Sequence, residues 1–133
     1  MGHFYGYEWV SEEIRTLYSR LSRVWCRETC SPRMRPDWSE ENRTLGQCAI
    51  TAFLVQDLLG GTVRGIPLED GSIHCFNEVD GQVFDLTSEQ FGELRLDYDH
   101  RQEQFREQHF ADEGKRQRYE LLKARLSGTV EQG

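Results

Sequence analysis

Nowhere in this sequence do apolar residues run together for the roughly 18 positions that a membrane-spanning helix needs. Its opening stretch, MGHFYGYEW, has no basic region followed by an apolar run, so no secretory signal is read there. Positive charge is in deficit as well. Sixteen Lys and Arg face 23 Asp and Glu, a net charge of −7, which argues against a general binder of nucleic-acid phosphates. Internal repeats and low-complexity tracts are missing. Cysteine is sparse, with four residues, and a chain of this length can bury a core without disulfide staples. These absences set the expectation of a soluble, cytoplasmic protein with reduced thiols. Neither a membrane nor a nucleic acid is expected as a partner, and the sequence carries no signal for an oligomeric state.

Zinc chemistry is disfavoured too. Cys26 and Cys30 stand four apart, a conceivable pair, but zinc takes four closely placed ligands. Cys48 and Cys75 are isolated, and His3, His100 and His109 are scattered. No metal and no cofactor is expected.

What is present fits one domain, 1–133. From Glu8 to about Trp25, Trp9, Val10, Ile14, Leu17, Leu21, Val24 and Trp25 recur at helical spacing. Ser11, followed by Glu13 and Ile14, can cap a slightly later start. The N-terminal helix thus belongs to segment 1–30. A polar loop with two prolines, SPRMRPDWSEENR, follows over 31–43, and long loops in compact domains tend to be functional or disordered. Trp38 in it either walls a cleft or pins the loop to the core. Local basic charge gathers around Arg27, Arg33 and Arg35, and again in KRQRYELLKAR, which reads as a solvated helix face.

The stretch TLGQCAITAFLVQDLLGG, Thr44 to Gly61, reads as a helix apolar around most of its surface, hence buried and central. Thr44 and Gln47 fit a capping box, which puts Cys48 in or just after the first turn. Gly60 and Gly61 end the helix. TVRGIPL then reads as a strand, and SIHCFNEV and QVFDLT as two more joined at Asp80-Gly81, a two-residue hairpin signal. Core helix and hairpin occupy 44–91. A short helix can start at Thr87 or Ser88, and 92–133 is a mainly helical tail. Helix, loop, buried helix, three strands and helical tail make an α+β pattern.

The hairpin register has a chemical consequence. With Val79 opposite Gln82, side-chain alternation places His74, Phe76, Glu78, Val83, Asp85 and Thr87 on one face. Ile73, Cys75, Asn77, Val79, Gln82, Phe84 and Leu86 take the other. His74 and Asp85 are then diagonal neighbours, within reach of one another. A cysteine attacks as the thiolate, which a helix N-terminus favours. An imidazolium stabilises it and later protonates the leaving group, and an aspartate on the second ring nitrogen fixes the tautomer. Cys48, His74 and Asp85 supply these three roles. Singly, each also has an ordinary use. Cys48 can be a buried helix residue, His74 a satisfied strand histidine, and Asp85 a cap for the turn that follows. Glu78, toward the hairpin turn, is read as solvent-facing.

At NRTLGQCAITAFLVQDLLGG and IHCFNEVDGQVFDLTSEQF, Asn42 to Phe91, the chain resembles the YunG family of small bacterial proteins. More loosely it resembles the papain-like and transglutaminase-like cysteine hydrolases. Cys75 departs from the pattern, where an aromatic is expected, and its opposite face is expected to keep it from the site. The looser resemblance implies a papain-like α+β core, with a central helix carrying the nucleophile against a small antiparallel sheet that carries histidine and acid. It implies Cys48, His74 and Asp85 as a catalytic triad, and a side-chain amide at Asn42 or Gln47, the former preferred, beside a backbone amide for the oxyanion. The expectation is a cysteine-dependent amide hydrolase or acyl transferase (a peptidase, deamidase or transglutaminase-like enzyme) acting on a peptide or protein substrate through a thioester. The acidic chain points to a neutral or basic substrate. The alternative is an inactive papain-like fold that serves as a protein-binding module, with the loop, three tryptophans and tail as its contact surface.

Overall fold

A run of alanine, isoleucine, phenylalanine, leucine and valine with no charge until Asp57 cannot face water, and the fold forms around it. In the computed structural model, which describes residues 3–92 and 94–131, this run is helix α2, Cys48–Leu59. Position 93 and the 132–133 end of the expected tail lie outside the described residues. Ile50, Ala52, Phe53, Leu54 and Val55 are all buried. Such side chains each contribute about 1.5–3 kcal/mol on leaving water.

Helix α1, Glu12–Ser22, is shorter than the periodic stretch that suggested it, and it begins after Ser11 as the cap signal allows. Residues 5–9 turn instead, and the Tyr5 backbone bridges to Asp85. The sheet consists of β1 (Thr62–Pro67), β2 (Ile73–Val79), β3 (Gln82–Phe84) and β4 (Gln102–Gln104). It is antiparallel, in the order β3-β2-β1-β4. The hairpin register is the expected one, Val79 opposite Gln82 and Asn77 opposite Phe84. Asp80 and Gly81 both take positive φ, 52° and 80°, as a two-residue hairpin requires. Two further helices close the domain, α3 (Arg106–His109) and α4 (Glu113–Glu131). The result is an α+β fold with a small four-stranded antiparallel sheet. Among the described residues no helix is long and apolar enough to cross a membrane.

Three expectations are corrected. The sheet has four strands, because Gln102–Gln104 pairs with β1 inside the stretch read as helical tail. Its sequence QEQ lacks the β-branched and aromatic residues that mark strands. The Thr44–Gln47 capping box does not form. Thr44 Oγ1 is buried without a partner, and the Gln47 amide turns away to donate to the Cys26 carbonyl at 3.0 Å. Helix α2 therefore starts at the thiol itself, with Gln47 as its uncapped N-cap residue. The Glu8–Trp25 helix is shorter at both ends, since residues 6–9 form a turn after the Tyr5 bridge and the helix closes at Ser22.

The sheet has two different faces. Cys75, Val79, Phe84 and Leu86 join the main core beneath α2, where Asn77 Nδ2 donates to the Ala52 carbonyl at 2.9 Å. Phe76, with Ile66 and Tyr98, forms a second cluster on the other side. Trp38 pins its loop, donating from Nε1 to the Arg43 carbonyl at 3.0 Å with the Arg27 guanidinium over its ring.

Gly46 fixes the entry to α2. It takes φ +71°, and a Cβ there would lie 2.5 Å from Cys30 Sγ and 2.9 Å from the Ser31 nitrogen. That nitrogen donates to the Gly46 carbonyl at 3.0 Å, which ties the two segments together. The Gly46→Ala variant is expected to lose about 1–2 kcal/mol from the left-handed backbone alone, and more from the clash. Urea unfolding measures it, and an unchanged midpoint would refute the packing argument.

Candidate active site

Strand pairing and a helix start bring three distant side chains together. His74, on β2, and Asp85, just past β3, are each 1% exposed, and His74 Nε2 lies 2.6 Å from Asp85 Oδ2. A buried carboxylate needs its lone pairs filled, and Asp85 fills them. Tyr98 Oη donates to Oδ2 at 2.8 Å, and the Thr87 amide and hydroxyl donate to Oδ1 at 3.1 and 3.3 Å. The Asp85 amide donates to the Tyr5 carbonyl at 2.9 Å, and the Tyr5 ring stacks on Tyr98. Phe91 meets the imidazole edge-on at 4.7 Å between centroids. The ring is thus clamped on one nitrogen and along its faces.

The other nitrogen, Nδ1, is buried with no partner in hydrogen-bond geometry. It is the nitrogen left for the Cys48 thiol. Burial by itself lowers the His74 pKa. The Asp85 charge and hydrogen bond outweigh that, aided by Cys48, and the pKa is pushed up to about 10. Cys48, half-buried at the first position of α2, is held well below the ordinary thiol range. The neighbouring Cys75 thiol is the largest cause, acting against burial, and the charge of the His74 ring assists it. The first-turn amides of α2, which have no carbonyl inside the helix to bond, lie at the same end.

Cys75 corrects an expectation. It does sit on the face opposite His74, but that face packs under α2, so its thiol becomes a neighbour of Cys48. Its own pKa goes up, first through the neighbouring Cys48 thiol and then through burial. One thiol keeps its proton and the other sheds it. Gly65, across from Cys75 on β1, leaves room for Gln104. A Cβ there would lie 2.8 Å from Gln104 Cγ. The Gln104 amide oxygen lies 3.0 Å from His109 Nε2, a nitrogen that is also 4.0 Å from Cys75 Sγ.

The proposed oxyanion side chains fall elsewhere. Asn42 opens onto a separate cavity beside Tyr18, Ser22 and Trp25. Gln47 is fully buried, with its amide on Cys26. The loop before Gly46 carries Asn42 toward α1, and the Gln47 side chain points to the segment that follows α1. The amide that does line the Cys48 cleft is Gln90, which donates to the Thr87 carbonyl at 3.0 Å. Glu78 stays remote, paired with Arg101 at 2.9 Å and Arg64 at 3.2 Å.

Cys48 and His74 open on a cleft of about 420 Å³, a size suited to a small ligand. Arg33, Lys115 and Arg118 line it against one carboxylate, Asp112. Its local charge is opposite to that of the whole chain, so net charge is a poor guide to what enters.

Comparison with known proteins gives one family. The sequence model of the YunG protein family matches residues 13–131, well beyond the 42–91 stretch that carries the motifs. "Uncharacterized protein YunG" of Bacillus subtilis (strain 168) is 36% identical over 104 residues, covering 78% of this chain and 84% of that protein. No solved structure matches.

The geometry makes the thiols unequal. Iodoacetamide at neutral pH is expected to alkylate Cys48 ahead of Cys26, Cys30 and Cys75, as read by peptide mass spectrometry. The Cys75→Ala and His74→Ala variants each shift the alkylation midpoint of Cys48 to higher pH. Equal labelling of all four thiols in the folded protein would contradict the arrangement.

Proposed function

The chain belongs to the YunG family, and for this member we propose a cysteine-dependent amide hydrolase or acyl transferase, with Cys48, His74 and Asp85 as its triad and a papain-like arrangement of helix and sheet. The observation that carries the proposal is the division of labour on the His74 ring. Nε2 is held at 2.6 Å by Asp85, and Nδ1 is left for a thiol that favours the anion.

The reaction follows from those positions. The Cys48 thiolate attacks the amide carbon, and a carbon–sulfur bond forms as the carbonyl π pair moves to oxygen. Amides at the start of α2, whose first residues line the same cleft, serve as donors to that oxyanion. The carbon–nitrogen bond then breaks, and the amine leaves with the proton from His74. Water, giving its proton back to the ring, opens the thioester and releases the acid and the thiolate. An amine in place of water gives transfer. Asp85 keeps the ring's orientation and stabilises its charged form throughout. Peptide and protein amides are the substrates this chemistry suits.

Two measurements test the proposal. With 4-nitrophenyl acetate, a burst equal to the enzyme concentration and an acetyl adduct on Cys48 are expected. Cys48→Ala abolishes both, and His74→Ala slows turnover roughly 10²–10⁴-fold. The pH profile of kcat/KM is expected to be broad and bell-shaped. Activity needs thiolate and imidazolium together, so it rises below the usual thiol range and falls near 10 as His74 loses its proton. No adduct on Cys48 would turn the assignment toward a binding module.

A further inference from the structure

The wall of the Cys48 cleft that α4 provides is charged in a way the fold does not explain. Arg118 is half-buried, and its guanidinium donates to the Thr29 carbonyl at 3.3 Å. Its Nε is buried with no partner, and among the described residues no carboxylate lies within 4.0 Å of it. A charged group taken out of water without a counter-charge is costly. One turn earlier, the Lys115 ammonium lies 3.1 Å from His109 Nδ1, which leaves it further protons to donate. Burial first, and then Lys115, lower the His109 pKa, so the imidazole is neutral and accepts there. Asp112 is the one carboxylate in the lining, and its Oδ1 accepts the Lys115 backbone amide at the start of α4. Arg33 is engaged at the rim by Asp70 at 3.3 Å.

We propose that the acyl donor of this site is anionic, carrying a carboxylate or a phosphate that pairs with Arg118 and Lys115 while its amide carbon reaches Cys48. The assignment of Cys48 as nucleophile underlies the word donor. The anion site itself stands on the cleft. Arg118 supplies a guanidinium charge with Nη1 already anchored on Thr29, and Lys115 adds a point charge one turn earlier. The size of the cleft limits the donor to something like an acidic amino-acid amide or the end of a peptide chain.

The test is protection of Cys48 from iodoacetamide by free glutarate or inorganic phosphate, at constant ionic strength. Protection by glutarate is expected. Arg118→Gln weakens it by about tenfold or more, the loss expected for one charged hydrogen bond. Asp112→Asn, which keeps a helix-capping side chain, strengthens it. This opposite sign separates anion binding from damage to the fold. Tighter protection by phosphate identifies phosphate as the group the site prefers. Protection by neither anion, or protection unmoved by both variants, overturns the proposal. The 4-nitrophenyl acetate burst is independent of these results. Protection without a burst leaves the anion site and removes the hydrolase reading, whereas a burst without protection does the reverse.

Discussion

A histidine and an aspartate, each almost wholly out of water and 2.6 Å apart, are the constraint to which the rest of the molecule answers. Breaking a buried pair of this kind by removing one partner typically costs roughly 3–5 kcal/mol, because the survivor is left uncompensated. The neighbourhood is arranged accordingly. Tyr98 and Thr87 complete the carboxylate's hydrogen bonds, the Tyr5 backbone ties Asp85 to the chain's beginning, and the hairpin sets the register. One polar atom is left over, the His74 Nδ1, and it belongs to the side where α2 begins.

The thiol is tuned by a second device, buried beneath the first. Cys75 is inside the apolar core under α2, where its proton is hard to lose and easy to share. A neutral thiol beside Cys48 favours the anion there without bringing another charge into the core. Helix start, imidazole and Cys75 thus all bear on Cys48.

Much of this arrangement is legible in the sequence, for a definite reason. Apolar crowding from Ala49 to Leu59 marks the central helix, and Asp-Gly marks a hairpin whose two-residue turn leaves one register. Strand alternation then sets His74 and Asp85 on one face. The residues that escape are those whose placement is tertiary. Tyr98, His109, Lys115 and Arg118 reach the site only because β4 pairs with β1 and α4 packs against α2, and QEQ gives little sign of a strand. Cys75 escapes because alternation says which face a side chain takes and not what packs there. Asn42 and Gln47 carry suitable amides near Cys48 in sequence, yet the loop takes Asn42 toward α1 and the Gln47 side chain is spent on the Cys26 carbonyl.

The reacting groups and the cationic wall come from different parts of the chain. Thiol, ring and acid sit on α2 and the hairpin, whereas Lys115 and Arg118 project from consecutive turns of a helix added after the sheet is complete. On the proposed assignment, bond-making and recognition are therefore modular. Exchanges along the first two turns of that terminal helix alter the charge of the cleft without touching Cys48, His74 or Asp85.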